Sequence, residues 1–272
     1  PDHLDRYPTV EAYYADKARL FRNATRASIW VLNAEDAAVT KMPGEADGRR
    51  RVFRVNTLLD AREEGGWIDD GGHLCIRMAS TETRLVHHTE LRVLGEHNRA
   101  NALAAAVAAV SAGATTEAVS EGLRTFGGLE HRLEIVTEAA GILWVNDSKA
   151  TNIGSTIVAL RSVERPTVLL LGGRHKGESY TKLLEAMRDR VTHVVAYGEA
   201  AAIVERDLAG HMSVERVDGT FADVVTRAAS LARAGDAVLL SPACASFDMF
   251  GDYEERGRAF KAQVERFAGA AS

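Results

Sequence analysis

The stretch "ILWVNDSKATNIGST", residues 142–156, passes through three chemistries in fifteen positions. It opens on an apolar run, Ile142-Leu143-Trp144-Val145. It turns polar at Asn146-Asp147-Ser148-Lys149, and then leads through Thr151-Asn152 into a helical pattern. A short continuous apolar run bounded by turn residues is the signature of a strand buried on both faces. A strand followed by a turn and a helix is half of a β-α-β unit. A plain turn does not require a lysine beside an aspartate, so this strand end is a candidate site as well as a fold marker.

Working outward, the same alternation repeats toward the C-terminus. "LEIVTEAAGILWVND" reads as a hairpin, and a helix follows over about 153–163. "TVLLLGG" is a second buried strand. A helix over about 179–190, the strand "THVVAYG", a helix from 199, the strand "MSVERV", the helix "FADVVTRAASLARAG", the strand "DAVLLSP" and a last helix complete the series. Apolar strands alternating with helices predict a mostly parallel, doubly wound α/β sheet, with ligands beyond the carboxyl ends of the strands. Three such ends carry unusual chemistry, "WVNDSKATN", "LLLGGRHKGESY" and "LLSPACASFDMF", and the topology allows all three to share one sheet edge.

Before Gly127-Gly128 the pattern differs. Residues 9–24 read as a helix, "ASIWVLNA" as a strand ending at Asn33, and 49–94 as strand-rich with a hairpin turn at Asp70-Gly71-Gly72. An Ala-rich helix in "GEHNRANALAAAVAAVSAGA", ended by Gly113, precedes a second helix with a Thr cap in "TTEAVSEGLRTF". The composition shift at the glycine pair divides the chain into domains 1–128 and 129–272.

Bulk properties remove several classes. The chain has 272 residues, 46% hydrophobic, with a net charge of -5 and both signs interspersed, so neither disorder nor a nucleic-acid surface is expected. Cys75 and Cys244, far apart in sequence, fit a reducing cytosol rather than a disulfide scaffold. No apolar run reaches the roughly 20 residues needed to span a bilayer. The first residue is Pro, inside an already patterned segment, which suggests sequence upstream.

Each candidate also has a plain reading. Arg174 and Lys176 after Gly172-Gly173 suit an anion or a solvated loop. The segment matches neither G-x-x-x-x-G-K-[ST] nor G-x-G-x-x-G, and no such match occurs elsewhere in the chain. Cys244 among small residues has no following His and reads as a buried thiol. Ser246 reads as lying at a helix N-terminus, where an N-cap or a carboxylate site is possible. Asp2, His3 and Asp5 have generic metal-ligand spacing. Lys17 reads as a solvated helix lysine, and Asn98 as a helix cap with Asn101 on the same face. His87-His88 falls in a strand and receives no role.

Taken together, "DHLDRY" followed by Lys17, "EHNRANALAA", "GLEHRLE", "NDSKATN", "LLLGGRHKG" and "LLSPACASFDMF-GDYEERG" resemble the Mur ligase family, in the family's order and over residues 2–257. "NDSKATN" and "SPACASFD" resemble its D-glutamate-adding members. The resemblance implies the later part of a central ATPase domain followed by a Rossmann-like C-terminal domain. It implies ATP-dependent ligation of D-glutamate to UDP-N-acetylmuramoyl-L-alanine through an acyl phosphate, in peptidoglycan precursor synthesis, by a cytoplasmic monomer. It implies His3 as a Mg2+ ligand and a carbamylated Lys17 holding a second Mg2+. It implies Asn98, Asn101, Arg132 and Asp147 at the nucleotide, with Asp147 toward the ribose, and Lys149 near the phosphates. Thr151, Lys176, Ser246, Phe247 and Tyr253 are implied at D-glutamate. Two departures follow. Arg174-His175 stands where some members carry an acid. The family's ATP loop, its uridine-nucleotide domain and the glutamate completing the Mg2+ site are expected upstream of Pro1, so the 272 residues alone are expected to be inactive. The alternatives are a non-catalytic D-glutamate or nucleotide-binding module, and a Rossmann oxidoreductase, which the missing G-x-G-x-x-G argues against.

Overall fold

The computed structural model describes residues 7–270, with two compact units. The first runs to Phe126 without Val93–Gly95; the second comprises Val93–Gly95 and the chain from Gly127 onward. His3, Asp2 and Asp5 lie outside the described residues.

In the first unit α1 (Val10–Ala18) is capped by Thr9, whose hydroxyl accepts from the Ala12 amide, and passes into a 3-10 turn, Arg19–Phe21. Then come β1 (Ile29–Asn33), α2 (Ala37–Lys41), β2 (Arg49–Arg54), β3 (Gly65–Ile68), β4 (His73–Met78), β5 (Thr81–His87), α3 (Glu96–Ser111) and α4 (Thr116–Thr125). The strands form one sheet in that order, parallel from β1 to β3 and antiparallel from β3 to β5. Asp69–Gly72 makes the β3–β4 hairpin turn, with the Gly72 amide on the Asp69 carbonyl at 2.8 Å. Leu103, Ala106 and Val107 of α3 are buried with Leu74, Ile76, Leu85 and Val86 of the sheet. The helix α3 begins at Glu96, so Asn98 is a residue of its first turn and not the expected cap. The short α2 was unexpected; Asp36 starts it by accepting from the Ala38 and Val39 amides.

The second unit contains β6 (Glu134–Ala139), β7 (Ile142–Asn146), α5 (Ile153–Ser162), β8 (Thr167–Gly172), α6 (Leu184–Met187), β9 (Val191–Tyr197), α7 (Ala201–Leu208), β10 (Val214–Val217), α8 (Phe221–Leu231), β11 (Ala237–Leu240) and α9 (Tyr253–Ala270). The sheet order is β10-β9-β8-β11-β7-β6, with only β6 antiparallel. Side chains along β8 alternate between two cores. Leu169 and Leu171 face α5, α6 and α7, whereas Val168 and Leu170 face α8 and α9. Burial on both faces explains why this strand is an unbroken apolar run. The helix expected over 179–190 is shorter: a 3-10 turn, Tyr180–Leu183, then the single turn of α6. Arg188 leaves the helical region at ψ 131° and Asp189 takes φ 60°, which turns the chain into β9.

The strands β7, β11 and β8 are parallel neighbours, so their carboxyl ends lie side by side. The path from β7 through α5 to β8 leaves a gap that β11 later fills, and the strand order reverses there. That reversal is where open α/β sheets bind ligands.

Candidate functional site at three strand ends of the second unit

The end of β7 is a buried polar knot. Asn146 is 0% exposed; its amide donates to the Glu134 carboxylate at 2.9 Å and meets His131 Nδ1 at 3.0 Å. Its carbonyl oxygen accepts from the Ser148 amide at 3.2 Å, which shapes the turn after the strand. His131 and Leu133, on the segment before β6, have φ values of 64° and 43°, a bent path that brings the Leu133 amide to Asp147.

Asp147 is 7% exposed. One carboxylate oxygen accepts from the Leu133 amide at 3.2 Å and the other from the Ser241 hydroxyl of the β11 end at 2.8 Å. Burial pushes this carboxyl up to about 7, against the opposing pull of the Ser241 hydroxyl, the Leu133 amide and the charge of Arg132. An ionised carboxylate has about four acceptor positions, so room for further donors remains. The folded chain therefore holds a proton that the unfolded chain, near 3.8, releases. Linkage then makes stability fall as pH rises through the interval between those two values. Asp147→Asn removes this component, because an amide does not titrate there. Melting temperatures of the two chains between about pH 5 and pH 8 are expected to converge or cross toward the alkaline side in favour of the variant. Parallel pH profiles would contradict the assignment.

Beyond Asp147, Lys149 is exposed, with Nζ 3.3 Å from the Tyr253 hydroxyl and 5.0 Å from its ring centroid. Thr151 accepts at Oγ1 from Lys176 Nζ at 3.3 Å, joining the β7 and β8 ends. Asn152, next in line, caps α5 by accepting from the Ser155 amide.

At the end of β8, Gly173 has φ 128°, and a Cβ there would lie 2.3 Å from the Ala245 carbonyl oxygen. Only glycine permits this approach. It allows the Arg174 amide to donate to that same carbonyl at 2.8 Å, tying the β8 end to the β11 end. Arg174 is not a free anion ligand: its guanidinium pairs with Glu199 at 3.2 Å and donates to the Phe247 carbonyl at 3.2 Å. His175 Nδ1 lies 3.2 Å from the Tyr180 hydroxyl, which meets Cys244 Sγ at 2.8 Å. Burial pushes the Cys244 thiol up, opposite to what a nucleophile needs.

After β11, Ser246 is 2% exposed and lies in a turn, with its carbonyl accepting from the Met249 and Phe250 amides at 3.1 and 2.9 Å. The expectation that it starts a helix is corrected. The helix α9 begins at Tyr253, and Asp252 caps it by accepting from the Glu255 amide at 2.6 Å. Phe247 is 61% exposed. A narrow recess beside these loops is lined by Asn152, Ile153, His175, Lys176, Glu178, Tyr180 and Ala243.

The structure thus brings Asp147, Lys149, Thr151, Lys176, Ser246, Phe247 and Tyr253 to one sheet edge, with exposed Arg132 on the adjoining segment. Asn98 and Asn101 belong to the first unit, where Asn101 Nδ2 donates to Asn98 Oδ1 at 3.3 Å. Lys17 is exposed on α1, with Nζ 5.3 Å from the Tyr13 ring centroid. No group of three His, Cys, Asp or Glu side chains able to hold a metal occurs among the described residues.

Sequence reading missed Arg256. It is 0% exposed, and it donates to Ser148, Cys244 and Gly172 at the three strand ends. The signal was present: Arg256 shares the helical spacing of Phe260 and Val264, both buried, and so belongs to the apolar face of α9.

Residues 131–244 match the family described as "Mur ligase, glutamate ligase domain", and residues 1–109 match "Mur ligase middle domain". The chain is 44% identical over 269 residues to a UDP-N-acetylmuramoylalanine--D-glutamate ligase of Anaeromyxobacter dehalogenans, covering 96% of this chain and 58% of the relative. It is 41% identical over 266 residues to the ligase of the same name from Salinibacter ruber, covering 97% and 58%. It spans 58% of the length of both of these curated relatives. Among solved structures, the UDP-N-acetylmuramate-alanine ligase MurC of Thermotoga maritima superposes with a TM-score of 0.66 at 18% identity, over 99% of this chain and 58% of that one. A MurF ligase of the same organism, solved in complex with ADP, gives 0.63 at 16% identity, over 98% and 61%. At such identities the solved structures speak for the fold, and the family matches speak for descent. The chain belongs to the Mur ligase family, of which it carries the middle and the glutamate ligase domains.

Proposed function

We propose that this chain is the middle and C-terminal part of an ATP-dependent ligase that joins D-glutamate to UDP-N-acetylmuramoyl-L-alanine in peptidoglycan precursor synthesis, in the cytoplasm. The observation that carries the reading is the contact of Lys176 with Thr151 at 3.3 Å, beside Lys149 and Ser246, on neighbouring strand ends. An exposed ammonium with hydroxyl donors is the donor set that a dicarboxylate amino acid needs. Two curated relatives, 44% and 41% identical, carry the corresponding ligase name.

In the proposed reaction the γ-phosphoryl group of ATP passes to the carboxylate of the L-alanyl residue, giving an acyl phosphate and ADP. The D-glutamate amine attacks the acyl carbon, loses a proton, and the tetrahedral intermediate expels inorganic phosphate to leave an amide. Lys176, Thr151 and Ser246 are proposed to hold the D-glutamate carboxylates, with Phe247 and Tyr253 bounding the pocket, so that the amine is aimed. Lys149 is proposed to lie toward the phosphates, where negative charge builds. Asp147, with acceptor capacity left over, suits ribose hydroxyls, and Arg132, Asn98 and Asn101 are proposed at the nucleotide. Lys17, exposed and in no ion pair among the described residues, is open to carbamylation, which would exchange its charge for a carboxylate suited to Mg2+. A carbamate carbon signal with labelled bicarbonate, lost in Lys17→Ala, tests that point. His3 is proposed as its partner ligand.

The test of the function is phosphate release by the full-length gene product. Release is expected only when both UDP-N-acetylmuramoyl-L-alanine and D-glutamate are present. Binding of D-glutamate without any turnover would instead favour a non-catalytic module.

A further inference from the structure

Arg256 carries a charge that has no carboxylate within ion-pair distance among the described residues, although it is 0% exposed. Leaving a buried cation without an anion is costly, by several kcal/mol in effective desolvation. A helix that needed only to fill space there would do better with Met or Leu. What the guanidinium has instead is a set of oxygen acceptors from separate parts of the chain. Its Nε donates to Ser148 Oγ at 2.9 Å. One terminal nitrogen donates to the Ser148 carbonyl at 2.8 Å and the Cys244 carbonyl at 3.2 Å. The other reaches the Gly172 carbonyl at 3.5 Å. Ser148 Oγ donates its own hydrogen bond to the Tyr253 carbonyl at 2.7 Å, which closes the set back onto α9.

These acceptors are the last fixed points before the proposed ligand-facing side chains. Ser148 adjoins Lys149 and precedes Thr151 in the β7 loop. Gly172 is the last residue of β8, ahead of Lys176. Cys244 precedes Ser246 after β11. Three loops from different strands have no covalent reason to keep a common register, and one planar fork with five donors fixes them against each other.

We propose that Arg256 is the positioning residue of the D-glutamate pocket, one guanidinium setting the mutual register of the loops that present Thr151, Lys176 and Ser246. This rests on the D-glutamate reading given above. Arg256 touches no substrate itself; it acts through the loops. Lysine in its place keeps the charge but has three donors on a point charge, and it cannot span acceptors on opposite sides of a planar group.

The experiment is steady-state kinetics on the full-length gene product with Arg256→Lys and Ser148→Ala, with melting temperatures measured alongside. Arg256→Lys is expected to raise KM for D-glutamate by about tenfold or more, the loss of one to two well-placed hydrogen bonds. The KM for ATP is expected to stay within about threefold, a fraction of one hydrogen bond. Ser148→Ala, which deletes one acceptor and leaves the fork in place, is expected to move KM for D-glutamate in the same direction by a smaller factor. A fall in kcat or in the active fraction with unchanged KM for D-glutamate would mean that Arg256 only stabilises the fold, and would overturn the proposal. If Arg256→Lys does not fold, the KM of Ser148→Ala decides. A wild-type protein without D-glutamate-dependent turnover removes the functional reading instead, so the two failures are told apart.

Discussion

Lys176→Ala in the full-length protein is expected to weaken D-glutamate by on the order of 100-fold while leaving the melting temperature nearly unchanged. Two facts set these opposite magnitudes. Lys176 is exposed and makes a single side-chain hydrogen bond among the described residues, to Thr151 at 3.3 Å, so the folded chain loses little without it. Exposed substitutions of this kind usually fall within about 0.5 kcal/mol. In the ligated state the same ammonium would face a carboxylate excluded from water. Truncating one partner of such a pair costs about 2–5 kcal/mol. Initial rates against D-glutamate concentration read the affinity, and a thermal melt reads the stability. An unchanged KM for D-glutamate would remove Lys176 from the pocket. Arg174 makes the natural contrast, because its guanidinium is already paired with Glu199 and the Phe247 carbonyl.

Gly257→Ala is expected to destabilise the second unit by about 1–3 kcal/mol, the range for forcing atoms into a packed core. Glycine to alanine in a helix interior ordinarily gains up to about 1 kcal/mol. The sign reverses here because a Cβ on Gly257 would lie 2.1 Å from His131 Nδ1. His131 has nowhere to go. It is 4% exposed, its amide donates to the Glu134 carboxylate at 3.0 Å, and its ring meets the Asn146 amide at 3.0 Å. Gly269, in the same helix with nothing within 4 Å of its missing Cβ, is the control, and Gly269→Ala is expected to show the ordinary gain. Denaturant titration of both variants compares them directly; equal midpoints would mean that α9 approaches His131 less closely.

Much of the second unit was legible because its signals are local. The unbroken apolar run of β8, the hairpin of β6 and β7, and the helical pattern of α8 each depend on neighbours in sequence. So did the Asp69–Gly72 turn and the Thr115 cap of α4 in the first unit. The common edge shared by the three chemically unusual strand ends also followed from the β-α-β pattern, and the sheet order agrees with it. What escaped was non-local. Asp147 and Ser241 meet across 94 residues of sequence, and no window contains both. Ser246 looked like a helix start because small polar residues precede a periodic segment, but its carbonyl closes a turn instead. The helix beyond Tyr180 looked longer than it is because the residues that end it, Arg188 and Asp189, are not breakers by type. Arg256 was overlooked because an arginine reads as exposed by default; its helical phase with Phe260 and Val264 was the better guide.

The position of β11 has a consequence for the order in which the molecule can be made. It is the last strand of the second unit in sequence, yet it lies between β7 and β8 in the sheet. A nascent chain that has not yet extended past Ala237 has both of those strands with an open edge, and sheet edges of that kind invite pairing with other chains. Pairing across such a separation also carries a large loop-closure entropy. The ribosome must therefore deliver nearly the whole unit before its central strand can zip in, and the pocket edge comes into existence with that step.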